Sequence, residues 1–128
     1  MIIDQKDGVV RIVDSKFYAV KKNSKVTLSV EVGDFQAGGT SYSWGEDSEV
    51  GDPNFEDKPV NGSGEAIDGT VLHCLTKVVD IRPETNHTSV TYTLKGGVKE
   101  QSFPYAAQVL QEHGLAKYFI SFIFTIGT

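Results

Sequence analysis

Residues 26–32, Val-Thr-Leu-Ser-Val-Glu-Val, alternate apolar and polar side chains without a slip. Successive strand side chains point to opposite faces, so a strand sorts such a run into one apolar and one wet surface. The same period recurs along the chain. Residues 9–13 and 17–20 read as two short strands. Lys21, Lys22, Asn23 and Ser24 read as the turn that folds the second of them onto 26–32 as a hairpin. Thr40, Tyr42 and Trp44 alternate with Ser41 and Ser43 in a further short strand.

Residues 71–81 and 88–94 flank Arg82-Pro83-Glu84-Thr85-Asn86, a run of turn formers, and read as an antiparallel hairpin. Setting Ile81 against His87 puts Val78 by Val90, Thr76 by Tyr92 and Cys74 by Leu94, all on one apolar face. Gly96-Gly97 marks a tight turn into a strand near 98–103. One helix is expected over 104–113: Pro104 suits its first turn, Ala106, Val109, Leu110 and His113 follow helical spacing, and Gly114 suits its end. The last strand, 117–126, is apolar on both sides, with Tyr118, Ile120, Phe122, Phe124 and Ile126 on one face and Phe119 and Ile123 on the other. Such a strand is either central with cover on each face or presents one face for association.

Seven or eight short strands and one short helix define an all-β domain, an antiparallel β-sandwich of immunoglobulin-like or jelly-roll-like form. The 128 residues fit a single domain. A hydrophobic fraction of 39% and a charged fraction of 23% match a soluble globular chain, and no apolar run approaches the ~20 residues of a membrane helix. The net charge of −5 counts against nucleic acid as a partner, because phosphate binders gain most of their affinity from a basic surface. The only local concentration of lysines along the sequence is Lys21, Lys22 and Lys25, at a turn. With no basic-then-apolar leader after Met1 and a lone Cys74, the sequence reads as cytoplasmic, or as secreted if a signal segment has been removed.

Chemistry, if the chain performs any, is expected between residues 45 and 69. Glu46, Asp47, Glu49, Asp52, Glu56 and Asp57 crowd there with Pro53, Pro59 and several glycines, a long acidic loop without periodicity. Asp47, Glu49, Asp52, Asn54 and Asp57 are the candidate ligands for calcium, which takes six to eight oxygens, although their spacing is not that of an EF-hand. A histidine metal site is disfavoured, since the hairpin pairing separates His73 from His87 by roughly 26 Å at ~3.3 Å per residue. Cys74 falls on the core face, where a thiol is inert. No nucleophile elbow or phosphate loop is present.

Three functions follow as expectations. The leading one is a non-enzymatic interaction or structural module that presents loops and a sheet edge to a protein partner or to another copy. The second is a carbohydrate or small-molecule binding domain using Tyr42, Trp44, Asp47 and Asp52, with the alternative that Trp44 is a core anchor. The third is a hydrolase using loop carboxylates, and no catalytic residue is assigned.

Overall fold

The computed structural model describes residues 1–6, 9–21, 24–33, 37–44, 47–51, 55–60, 69–80, 86–109 and 114–126, with the side chains of 6, 37, 44, 47–51 and 55 outside that description. Ten strands are present among the described residues: β1 (Ile2–Lys6), β2 (Val9–Val20), β3 (Thr27–Val32), β4 (Ala37–Trp44), β5 (Asp47–Gly51), β6 (Phe55–Pro59), β7 (Val71–Val79), β8 (His87–Lys95), β9 (Gln101–Gln108) and β10 (Leu115–Ile126). They form a six-stranded sheet in the order β1-β2-β10-β7-β4-β5 and a four-stranded sheet in the order β6-β3-β8-β9. The all-β class and the layered, sandwich-like architecture agree with the alternation that runs through the sequence.

Alternation decides which side of each strand is buried. Val26, Leu28, Val30 and Val32 are buried, as are Leu72, Cys74, Thr76 and Val78 on β7 and Val90, Tyr92 and Leu94 on β8. From β10, Ala116, Tyr118, Ile120, Phe122 and Phe124 complete the same core. Aromatic edges join the layers: Phe122 of β10 meets Tyr92 at 5.8 Å and Phe103 at 5.0 Å between ring centres.

Two reciprocal hydrogen bonds also tie the sheets through this apolar interior. Thr76 of β7 meets the Tyr92 hydroxyl of β8 at 2.6 Å, and Thr88 of β8 meets the Tyr118 hydroxyl of β10 at 2.6 Å. Each hydroxyl chain ends on a further acceptor or donor: Thr76 also bonds Thr40 at 3.0 Å, and Thr88 donates to the Ala107 carbonyl at 2.8 Å. A buried phenol without such a partner would carry its desolvation cost uncompensated.

Several sequence expectations are corrected. The helix expected from residue 104 is absent over its first half: Pro104 to Gln108 belong to β9, paired with β8 through Val90↔Tyr105 and Tyr92↔Phe103. Phe103, Tyr105, Ala107 and Val109 also fit a period of two, and the open edge of β8 rewards that reading. Residues 110–113 lie outside the described residues, and among those described there is no helix.

The two strands read at 9–13 and 17–20 are one strand, β2. Neither long hairpin forms. β2 and β3 lie in different sheets, as do β7 and β8, so both connections cross the sandwich. Parity fixed the buried faces correctly but carries no information about which strand lies alongside.

The arrangement is not wholly antiparallel, because β10 pairs β2 in parallel from Leu115↔Val9 to Ile126↔Val20. The loop of 45–69 contains β5 and β6. Both are edge strands, the place where acidic and proline-bearing segments are tolerated.

Tyr18 reaches from β2 to hold the β8–β9 turn. Its hydroxyl accepts the Gly97 N–H at 3.1 Å and donates to the Lys99 carbonyl at 2.8 Å. Gly96 sits at φ 97°, and a side chain there would run into the Lys25 carbonyl, so glycine is required. The inter-sheet bonds yield a testable expectation. Tyr92→Phe and Tyr118→Phe are each expected to cost about 1 kcal/mol in urea unfolding, the net worth of one buried hydrogen bond. The cost stays at this level because each threonine keeps a second partner.

Candidate functional site

The residues singled out by sequence do not assemble into one described site. Tyr42 and Trp44 lie on β4 opposite Glu49 and Asp47 of β5. Tyr42 is half-buried and packs against the hydrophobic core, which ties it to the interior. The side chains of Trp44, Asp47 and Glu49, and residues 52–54 with Asp52 and Asn54, lie outside the described residues. Asp57 is on β6, at the edge of the other sheet, where its carboxylate stands 3.4 Å from Lys95 Nζ. Its N–H donates to Ser29 Oγ at 3.0 Å, and its φ of 52° marks a local distortion of that edge.

Cys74 is buried, and burial pushes its thiol up to about 12, so almost no thiolate exists at neutral pH. His73 is exposed on β7, with Nδ1 3.0 Å from Ser121 Oγ, whereas His87 begins β8 in the other sheet. The separation inferred from a β7–β8 hairpin therefore does not apply. Among the described residues no three of His, Cys, Asp and Glu come together as metal ligands.

Two surfaces stand out instead. The first is a groove of about 490 Å³ between β2 and β9, lined by Asp14, Lys16, Gln101, Phe103 and Tyr105 among others. Sequence reading passed over it, although a signal exists. On β2 the inward phase runs Val10, Ile12, Asp14, Lys16, Tyr18, Val20, so two charged residues occupy core-phase positions. Tyr105 donates to Asp14 Oδ2 at 2.8 Å, while Lys16 Nζ and the Met1 amino nitrogen each stand 3.7 Å from the carboxylate. Desolvation raises the Asp14 carboxyl, but the bonds from Tyr105 and the Ser15 backbone and the nearby cations outweigh it and leave it below its ordinary value. Burial and the adjacent carboxylate push the Tyr105 phenol upward.

The second surface is the outer face of the six-stranded sheet. Strand registers place its side chains in lanes running across the strands. Val9, Leu115 and Val79 form one lane, and Asp4, Arg11, Lys117 and Lys77 the next. Ile2, Val13, Phe119, Leu75 and Ser41 form the third, Ser15, Ser121, His73 and Ser43 the fourth, and Phe17, Ile123 and Val71 the fifth. Phe17 is 68% exposed, Ile2 62% and Val13 40%. On β10 itself, which is central in its sheet between β2 and β7, the outward Phe119 and Ile123 are half-buried.

No family model matches the chain, nor does any curated protein or solved structure.

The groove's electrostatics set a pH dependence. Asp14 is held below its unfolded pKa of about 3.9, so its stabilising contribution is present above that value and is lost as pH falls through the folded one. Asp14→Asn is expected to flatten the acid limb of a stability-versus-pH curve below about pH 4. Urea unfolding at several pH values checks this, and an unchanged limb would show that Asp14 contributes nothing.

Proposed function

We propose that this chain is a protein-interaction module that engages its partner through the outer face of the six-stranded sheet. The observation that carries the reading is the set of three apolar lanes on a surface where a solvated sheet face ordinarily alternates to polar residues. Five strands at ~4.8 Å and five lanes at ~6.7 Å give the whole face, polar lanes included, a footprint of about 800 Å², the area each partner contributes to a standard protein interface. The apolar lanes are separated by a charged lane and a serine-rich one, the mixed composition of a non-obligate protein interface.

Edge chemistry supports the face over most of the edges. β6 is distorted at Asp57 and ends in Pro59, and β9 has Pro104, which lacks an N–H. Such devices discourage strand addition. β1, with Ile2 and Ile3 exposed, has weaker protection and extends the apolar face to its border.

A photo-crosslinking residue at Phe17 is expected to trap another polypeptide in cells, while one at Ser102, on the four-stranded sheet, is not. Phe17→Ser should leave unfolding within about 0.5 kcal/mol, as for an ordinary surface change. Equal trapping from both positions, or none, would overturn the reading.

A second reading, binding of a small polar ligand, is favoured by the groove at Asp14, whose volume lies in the usual range of ligand pockets. Nuclear magnetic resonance screening of amine-, amide- and hydroxyl-bearing fragments tests it. Shifts confined to Tyr105, Phe103 and Gln101 are expected, and their absence would dismiss this reading.

A further inference from the structure

Resting on the interaction-module reading, the geometry points to an acidic amphipathic helix as the partner element, laid across the strands along the cationic lane. Arg11, Lys117 and Lys77 are direct cross-strand neighbours, Arg11 with Lys117 and Lys117 with Lys77. Like charges directly opposite one another destabilise a sheet. Only Arg11 is compensated, by Asp4 at 2.8 and 3.0 Å. Lys117 and Lys77 have no ion-pair partner among the described residues. On the far side Lys77 faces Gly39, which has no side chain to cover it.

An unpaired lysine doublet in mid-sheet is a local conflict that an anionic partner resolves. What flanks the doublet selects the kind of anion. Leu115 and Val79 lie on one side and Phe119 and Leu75 on the other, in the same registers. The two apolar lanes are four residues apart along the strands, about 13 Å. An α-helix is about 10–12 Å wide, so one lying along the lysines touches both apolar lanes. Carboxylates four residues apart on a helix are about 6 Å apart, close to the ~5 Å between cross-strand neighbours. A stripe of Glu bordered on each side by Leu-like residues therefore matches charge, spacing and apolar flanks together.

Nucleic acid would satisfy the lysines but would leave the flanking apolar lanes of Leu115 and Val79 and of Phe119 and Leu75 without a partner. A second copy laid on this face would bury unpaired lysines, a composition disfavoured at the core of protein interfaces.

The test uses two synthetic 18-residue helical peptides of equal leucine content, one with a glutamate stripe and one with a lysine stripe, titrated into the protein. The glutamate peptide is expected to bind at least tenfold tighter, with affinity falling as salt rises. Lys77→Glu/Lys117→Glu should invert that preference, and Lys77→Gln/Lys117→Gln should remove it, with both variants shown to be folded by circular dichroism.

Equal binding of the two peptides, an unchanged preference in the glutamate variant, or tighter binding of a single-stranded oligonucleotide than of either peptide would overturn the assignment. So would a lysine-dependent dimer in sedimentation. Any of these combined with trapping from Phe17 would overturn the acidic helix alone and leave the interaction module standing. Loss of both trapping and peptide binding would remove the two together.

Discussion

Two tyrosine–threonine hydrogen bonds set how the two sheets can lie on one another. The aromatic and aliphatic side chains of the interior supply attraction without direction, and a sandwich held by them alone could slide. Thr76–Tyr92 and Thr88–Tyr118 each pair a short hydroxyl on one sheet with a long phenol from the other. Their donors and acceptors are satisfied only at one offset of the layers. In a low-dielectric interior, an unmade bond of this kind costs more than a made one contributes. The fixed offset in turn brings Tyr105 over Asp14.

Burial was legible in the sequence wherever polar and apolar residues alternate. The buried positions of β3, β7, β8 and β10 follow from parity, and so does the inert environment of Cys74. Pairing was not legible, because a strand's face pattern is the same whichever neighbour it takes. Residues 71–94 therefore looked like a hairpin, although their two strands belong to opposite layers. The region from Pro104 showed a different ambiguity: proline in a first turn and apolar spacings of three and four mimic a helix, and they also satisfy an edge strand that alternates Phe103, Tyr105 and Ala107.

The candidate surfaces differ in legibility for related reasons. Asp14 and Lys16 could have been found, since their position in the inward phase of β2 is visible once that strand is read as continuous. They instead read as an interruption between two shorter strands. The cationic lane had no signature at all along the chain. Residues 11, 77 and 117 are far apart in sequence, and only the parallel β2–β10 and antiparallel β7–β10 registers make them neighbours. The lysines that do cluster in sequence, around residue 22, gave no hint of it.

The parallel pairing of β10 with β2 also shapes how the chain reaches this structure. β10 is inserted between β2 and β7, so before it arrives the larger layer is two fragments, β1-β2 and β7-β4-β5, with unsatisfied backbone along both future seams. Partners so distant in sequence form late and slowly, because closing the intervening chain costs entropy before any contact repays it. During synthesis both seam edges stay unpaired until residues 115–126 leave the ribosome, an interval in which open strand edges invite association with other chains.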